Sequence, residues 1–206
     1  MCSILEMKIH KGVENINKYS AKQIARIAIF STISFILMFL NTSLPLFPPF
    51  LKVDLSEIPA VIMLLTGGVY EAIFVSLIKN IIHFTVSQSA GIGELINFII
   101  SASFIILIHF LYNKTKKIKV SLLFSTIIIS ILSALVNYFI MFPLYSVLLG
   151  INKQMILNLA ASFNPLVVNL NLYFMIIIIP FNLIKFTIVS ILSYNLFNKI
   201  KGGFKK

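Results

Sequence analysis

Long apolar stretches separated by short polar segments dominate this sequence, which is 59% hydrophobic with a mean hydropathy of +1.00. A helix of about 20 apolar residues is long enough to cross the hydrocarbon core of a bilayer. The stretches occupy approximately residues 21–41, a short segment ending at Thr66, and residues 69–86, 93–112, 120–149 and 172–197. Residues 150–171 are polar enough to form an external connection. We therefore predict an all-α integral membrane protein, a bundle of six transmembrane helices.

Basic residues group in the polar segments between these stretches. The chain has 17 basic and 6 acidic residues, and most of the basic ones lie within residues 8–26, 114–119 and 199–206. Basic segments beside membrane spans stay on the cytoplasmic side, which six spans allow for all three. The charge excess thus indicates topology rather than nucleic-acid binding. We predict a cytoplasmic tail over residues 1–20, a membrane domain over residues 21–198 and a basic cytoplasmic tail over residues 199–206.

The connection after the first stretch, from Thr42 to Pro59, combines prolines with apolar side chains. Its four prolines prevent a regular helix or a central strand. Irregular backbone at membrane depth is tolerated where it is buried in protein or lines a cavity. We interpret this proline-rich external loop as a lid over the bundle; the alternative is an ordinary loop whose aromatic side chains rest on lipid headgroups. Asp54 or Ser56 is predicted to cap the next helix.

The last apolar stretch contains a lysine well inside the membrane. Insertion of a lysine at a helix centre costs about 2.5 to 3.5 kcal/mol, so Lys185 is a candidate for a binding site. Asn182 lies three residues earlier on the same helical face, and Pro180 is expected to loosen the helix nearby. Two alternatives stay open: Lys185 reaches an interface or pairs with a buried carboxylate, and Asn182 only bonds a neighbouring helix.

Other polar side chains interrupt the remaining stretches. Lys79 and His83 are four residues apart and share one face of the third predicted helix. Glu94 and Asn97 open the fourth, where a carboxylate also suits the positive end of the helix dipole. The fifth stretch is too long for one straight crossing, and it contains Asn137 and a proline that is expected to kink it. These groups indicate helices that face protein or a water-filled cavity.

Small residues form a strip along the first predicted helix. Ala21, Ala25, Ala28 and Thr32 recur at intervals of three and four residues. Such a strip lets the backbone of another helix approach closely. The partner helix belongs either to this chain or to another protein.

Motifs that would indicate an enzyme or a channel are missing from the sequence. It has no His-Glu-x-x-His, no nucleophile elbow, no phosphate-binding glycine loop and no internal repeat. An enzyme acting on a lipid would need catalytic acids, and Glu71 and Glu94 in the predicted spans are too few and too far apart in sequence. Amides and a lysine aimed inward beneath an apolar loop favour a small-molecule binding site instead.

Five segments, in this order and spacing, resemble the riboflavin-specific substrate-binding (S) component of energy-coupling factor (ECF) transporters. They are FPPFLKVDLSEIPA (47–60), KN (79–80), GELINF (93–98), NYFIMFPLY (137–145) and PFNLIK (180–185). The similarity extends over roughly residues 20–198. It implies a six-helix bundle in the bacterial cell membrane, whose vitamin pocket lies near the external face and is closed by the first loop.

The resemblance also implies which residues contact the substrate. Asn137, Asn182 and Lys185 are expected to hydrogen-bond the flavin. The flat face of the ring needs apolar contact, which we expect from the loop residues Phe47, Phe50 and Leu51. Further expected pocket residues are Lys79, Glu94 and Asn97.

Partners follow from the same resemblance. Ala21 and Ala25 are expected to dock the transmembrane coupling (T) subunit, and two cytoplasmic ATPase (A) subunits are expected to drive transport. The chain itself is then not an enzyme and needs no cofactor, since riboflavin is the cargo. An S component for another vitamin or a flavin analogue is the nearer alternative, and a small membrane enzyme acting on a lipid is the more remote one.

Overall fold

The computed structural model describes residues 19–48, 51–87 and 89–203, which are mostly helical as predicted. Its elements are α1 (Ala21–Phe39), β1 (Thr42–Ser43), β2 (Lys52–Val53), α2 (Glu57–Thr66), α3 (Val69–Phe84), α4 (Ile92–Thr115), α5 (Ile118–Val136), a first π-helical turn (Asn137–Met141), α6 (Phe142–Leu149), α7 (Lys153–Ala161), α8 (Leu170–Leu172), a second π-helical turn (Tyr173–Ile178) and α9 (Ile179–Gly203).

Within the described residues, four helical segments are long and apolar enough to cross a bilayer, namely Ala21–Phe39, Ile92–Thr115, Ile118–Leu149 and Leu170–Lys201. The two helices between the first and second of these, α2 and α3, have 10 and 16 residues. Large apolar side chains such as Ile29, Phe110 and Ile131 are exposed on the long helices. That pattern suits helices surrounded by lipid, whose tails are as apolar as leucine.

Helix α3 packs against α1, α2 and α4, and α5 packs against α4 and α9. Two groups of buried apolar side chains hold these helices together. The first group includes Val61, Phe104 and Phe186 and lies within the bundle. The second joins Phe47 of the loop after α1 to Phe181 of α9 and to residues of α7. The candidate site lies where these two groups meet.

Both long segments that contain a proline change from α to π geometry just before it. The first π-helical turn precedes Pro143, and the second precedes Pro180. A proline ring clashes with the carbonyl four residues earlier and has no N–H to donate, and a widened turn accommodates both effects. The helices therefore continue through the prolines, with the expected disturbance beside each one.

The connection after α1 folds back on itself as a hairpin. β1 and β2 pair antiparallel, with Thr42 opposite Val53. Phe47, near the turn, is buried and packs edge-on against Phe181 of α9, with ring centroids 5.5 Å apart. Pro49 and Phe50 lie outside the described residues. This packing anchors the hairpin to the last helix.

The predicted side-chain cap of α2 does not form. Ser56 occupies the N-cap position, but its side chain makes no capping hydrogen bond. Its hydroxyl donates to the Asp54 carboxylate instead, and that carboxylate also accepts from the backbone N–H of Ser56 at 3.0 Å. Both candidate caps are therefore engaged in a side-chain network, which is described below.

The connection predicted over residues 150–171 contains a helix, α7, that the sequence analysis did not predict. Asn152 caps α7, since its side chain accepts from the backbone N–H of Met155. Leu157 and Ala160 of α7 are buried, as is Val167 after it. Short apolar runs between the polar residues of this segment supply one buried helical face. The segment thus closes one side of the candidate site.

The predicted tails are only partly within the described residues. Residues 1–18 and 204–206 lie outside them. α9 runs to Gly203, so residues 199–203 of the predicted tail are helical. The cytoplasmic position of this tail stays a prediction.

Candidate functional site

A polar cavity of about 190 Å³ lies between the hairpin and the ends of several helices. Asn137, Asn182 and Lys185, the three residues expected to hydrogen-bond a flavin, all line it. Asn97 of α4 and Leu51 of the hairpin line it as well. The structure therefore brings together residues that are up to 134 positions apart in sequence, from Leu51 to Lys185.

Each of the two amides lies at or near one of the π-helical turns and bonds the carbonyl four residues before it. Asn137 begins the first π-helical turn and donates to the Ser133 carbonyl at 2.7 Å. Asn182 follows the second and donates to the Ile178 carbonyl at 2.9 Å. Within the described part of the chain, neither amide makes another hydrogen bond. Each side chain therefore retains its oxygen and a second N–H for a ligand.

An apolar cavity of about 370 Å³ adjoins the polar one. The two share Leu51, Asn137, Met141 and Ile178 among their lining residues. The other walls of the apolar cavity are mainly aromatic and aliphatic, including Tyr145, Met155, Tyr173 and Phe174. A flat ring system with one polar edge fits such a pair of cavities, because aromatic walls cover its faces and the amides meet its edge.

Lys185 is held by a carboxylate from the hairpin side of the cavity. Its Nζ lies 2.9 Å from Oδ2 of Asp54, and the two side chains are 12% and 9% exposed. Asp54 lies between β2 and α2, outside the helices. Burial raises the pKa of its carboxyl, but the Lys185 and Lys79 ammonium groups and the Ser56 hydrogen bond outweigh this effect and hold the pKa well below its usual range. Asp54 is therefore ionised and pairs with the lysine.

A second buried ion pair adjoins the first through the Ser56 hydroxyl. Lys79 of α3 is fully buried, and its Nζ lies 2.5 Å from Oε1 of Glu57 at the start of α2. The Lys79 Nζ also donates to the Ser56 hydroxyl at 2.7 Å, and Ser101 of α4 donates to the other Glu57 oxygen. Ser56 in turn donates to Asp54. One network therefore links both ion pairs and four elements of the fold.

The alternative that Lys185 pairs with a buried carboxylate is confirmed, but sequence reasoning did not identify Asp54 as that carboxylate and missed the Glu57 partner of Lys79. The signal was present in the segment Asp54-Leu-Ser-Glu57, which places two acids at the edge of an apolar helix. These two acids match in number the two lysines of the later apolar stretches, Lys79 and Lys185, although those stretches also contain the acids Glu71 and Glu94. Because buried charges are nearly always paired, that match favours ion pairs.

Two other predicted pocket residues lie away from the polar cavity. Lys79 lines neither it nor the apolar cavity. Glu94 contacts His83 at 2.8 Å and accepts from the Ser87 hydroxyl at 2.7 Å. Glu94 borders a separate groove between α3, α4 and α6, together with Asn80. The carboxylate ties the connection after α3 to the start of α4.

The strip of small residues on α1 faces outward. Ala21, Ala25, Ala28 and Thr32 are all exposed. The alternative that this strip packs inside the protein is therefore wrong. A smooth surface of this kind is open to close approach by another helix.

The described residues contain no group of three or more His, Cys, Asp or Glu side chains placed to hold a metal ion. The groups that meet at the polar cavity are instead hydrogen-bonding amides, a neutralised lysine and an apolar wall. This set suits reversible binding of an uncharged polar ring.

Comparisons with known proteins agree with this arrangement. The family model "ECF transporter, substrate-specific component" matches residues 22–197. The riboflavin transporter RibU of Staphylococcus aureus (strain TCH60) is 32% identical over 198 residues, which cover 95% of this chain and 98% of the relative. The riboflavin transporter FmnP of Bacillus subtilis (strain 168) is 33% identical over 186 residues, covering 87% and 92%.

A solved structure of the S component of a bacterial ECF transporter has the same fold. It superposes with a TM-score of 0.71 at 28% sequence identity, covering 90% of this chain and 98% of the other. The matched family consists of transporter components, which agrees with the expectation that this chain is not an enzyme. Since the family model covers nearly all of the membrane portion, this chain belongs to the substrate-specific components of ECF transporters.

Proposed function

We propose that this chain is the riboflavin-binding S component of an ECF-type vitamin importer in the bacterial cell membrane. The observation that carries the proposal is the meeting of Asn137, Asn182 and Lys185 at a polar cavity beside an aromatic one. The relatives named riboflavin transporters match over most of their length, which supports the same substrate here.

Riboflavin meets these two cavities with complementary chemistry. The pyrimidine edge of its isoalloxazine ring carries carbonyl oxygens, ring nitrogens and one N–H. Amides supply both donors and acceptors, and the lysine supplies donors, so Asn137, Asn182 and Lys185 satisfy that edge. The ring faces then lie against apolar side chains, including Leu51 and, by our proposal, Phe50. Asn97 lines the same cavity and is assigned a polar contact.

We assign Lys79 and Glu94 structural roles rather than substrate contacts, which revises our first expectation. Lys79 is paired with Glu57 inside the protein, and Glu94 is engaged by His83 and Ser87. Breaking a buried ion pair by removing one partner costs about 3 to 5 kcal/mol. A substrate that competed for Lys79 would have to offset such a cost.

The topology that we propose has six spans with both termini in the cytoplasm. The basic segments then share one side of the membrane, and the hairpin lies on the other. In this arrangement the hairpin acts as a lid over the substrate. Support comes from its three contacts with the site: Phe47 packs on Phe181, Leu51 lines both cavities and Asp54 binds Lys185.

Delivery across the membrane is assigned to an ATP-driven module. We propose that the exposed strip containing Ala21 and Ala25 docks the transmembrane T subunit, and that two cytoplasmic A subunits hydrolyse ATP. The chain itself carries no cofactor in this scheme. A strip without strong hydrogen-bonding groups allows close approach and release.

Substrate binding is tested by titrating purified, flavin-stripped protein in detergent with riboflavin and following the quenching of flavin fluorescence. We expect tight one-to-one binding that Lys185→Ala weakens at least about tenfold, since hydrogen bonds to a charged group contribute about 1.5 to 3 kcal/mol. Lys119→Ala, at an exposed lysine, is the control and should bind normally. Folded protein that leaves riboflavin fluorescence unquenched would refute the substrate and direct the search to other vitamins.

Docking is tested separately by riboflavin uptake into cells that contain the coupling module. Ala25→Arg is expected to abolish uptake while riboflavin binding stays intact, because the bulky charged side chain blocks close helix packing. Asn195→Arg, at an exposed residue near the C-terminal end of α9, is the matched control. Loss of binding in Ala25→Arg, or equal loss of uptake in both variants, would argue against the docking role.

A further inference from the structure

The charges around the polar cavity balance one another. Asp54 and Glu57 carry negative charges, and Lys79 and Lys185 carry positive ones. All four belong to one network of ion pairs and hydroxyl bridges. Of these four, Glu57 and Lys185 line the cavity directly, and Asp54 and Lys79 are their ion-pair partners. Lys52 also lines the cavity, but it is exposed, so water screens its charge. The buried wall therefore presents donors without a net positive charge.

Hydrogen bonds to both oxygens of the Asp54 carboxylate fix its position and that of Lys185. One of its oxygens accepts from the Ser56 backbone N–H and hydroxyl, while the other lies 2.9 Å from the lysine Nζ. Ser56 is fixed in turn by Lys79, and its carbonyl accepts from Ser34 of α1 at 2.6 Å. The carboxylate therefore cannot swing away, and the ammonium retains two further N–H donors for the cavity.

We propose that Asp54 is a positioning and specificity-determining residue that neutralises Lys185, so that the polar cavity selects an uncharged carbonyl edge over an anionic one. This inference rests on the proposed riboflavin binding and deepens it. A lysine without a carboxylate partner would attract an anionic ligand, because an unpaired charge in a poorly solvated site favours its opposite. With Asp54 in place, an anionic ring edge meets a nearby carboxylate and loses affinity.

The test compares two flavins that differ in charge. Riboflavin has an uncharged ring at neutral pH. 8-Hydroxyriboflavin has nearly the same shape, but its hydroxyl ionises and shares the negative charge with the pyrimidine carbonyl. Calorimetric titration of the full chain in detergent gives both dissociation constants. We expect the wild type to favour riboflavin, and Asp54→Asn to move the affinity ratio toward the anion by about tenfold or more, equivalent to about 1.4 kcal/mol.

The control is Ser56→Ala, which removes a hydrogen bond from Asp54 but leaves all four charges in place. It should leave the affinity ratio of the two flavins unchanged. If Asp54→Asn lowers both affinities equally, the residue is merely structural and the inference is overturned.

A second measurement does not depend on riboflavin. Melting temperatures of the ligand-free wild type, Asp54→Asn, Lys185→Met and the double variant form a double-mutant cycle. If Asp54 neutralises Lys185, the double variant is more stable than additivity predicts, because neither charge is left unpaired. Additive effects overturn the inference even if riboflavin binds. If the wild type binds neither flavin, the proposed function fails, while the cycle still decides whether Asp54 and Lys185 are coupled.

Discussion

The ion pair between Lys79 and Glu57 offers a direct test of the network beneath the site. Lys79→Met keeps the length and the apolar stem of the side chain but removes its charge. Glu57, which is 2% exposed, would then be a buried carboxylate whose one remaining hydrogen-bond partner among the described residues is the Ser101 hydroxyl. We expect this single substitution to destabilise the protein strongly although it touches neither cavity.

The magnitude follows from the burial of both groups. Removing one partner of a buried ion pair costs about 3 to 5 kcal/mol. For a chain of about 200 residues, each kcal/mol lowers the melting temperature by about 2 to 4 °C, so we expect a decrease of about 6 to 20 °C. Glu57→Gln added to Lys79→Met should recover most of the loss, since the amide keeps a hydrogen bond from Ser101 and leaves no unpaired charge.

Circular dichroism at a helical wavelength during heating in detergent measures these melting temperatures. Riboflavin titration below the transition is the second readout. Lys79 lines neither cavity but Glu57 lines the polar one, so normal binding is expected of the Lys79→Met, Glu57→Gln double variant, which leaves no unpaired charge at the cavity. A Lys79→Met protein as stable as the wild type would refute the ion-pair argument. Loss of binding without loss of stability would instead return Lys79 to the substrate contacts.

Three further predictions concern Phe47 of the hairpin, the amide Asn182 and the carboxylate Asp54. Phe47→Ala removes the aromatic contact with Phe181, so riboflavin should dissociate about tenfold faster in stopped-flow fluorescence, whereas Leu46→Ala, at an exposed neighbour, should not change the rate. Asn182→Ala should weaken riboflavin binding about two- to tenfold in equilibrium titrations, the range for one or two uncharged hydrogen bonds, and an unchanged affinity would exclude Asn182 from the site. The pKa of the Asp54 carboxyl is lower in the folded protein than in the unfolded chain, where it is about 3.9. The ionised carboxylate therefore contributes its full stabilisation of the folded protein above a pH of about 3.9, and this contribution is lost as the pH falls through the pKa of the folded state. The difference in melting temperature between wild type and Asp54→Asn should therefore be the same at pH values of about 5 and about 8, and a difference that disappears at the lower pH would contradict the pairing.

Part of the fold could be predicted because the membrane restricts the choices. Apolar stretches of spanning length have to be helical in a bilayer, so α1, α4 and the two long C-terminal segments followed from length and composition. The disturbance beside Pro143 and Pro180 followed from the geometry of the proline ring. Local pattern did not reveal α7, because its nine residues are too short for a span and polar residues flank its apolar ones.

The sequence indicated some polar residues of the candidate site but not which charges pair with one another. Lys185 and Asn182 were recognisable because a lysine and an amide are costly inside a bilayer. Lys79 was conspicuous for the same reason, but its burial against Glu57 gives it a structural role in our proposal. Sequence alone assigns a cost to each buried charge without saying which opposite charge compensates it.

The sequence by itself determined that this chain is a helical membrane protein, where its prolines disturb the helices and which polar groups had to be sheltered from lipid. Those properties depend on length, hydropathy and proline geometry, all of which act along the chain. Only the tertiary structure decided that Asp54 reaches Lys185 across 131 positions, that Lys79 faces Glu57 and that the amides share one cavity. Ion pairs and cavities depend on distances of a few ångströms between elements, and these distances are fixed only when the helices and the hairpin pack together.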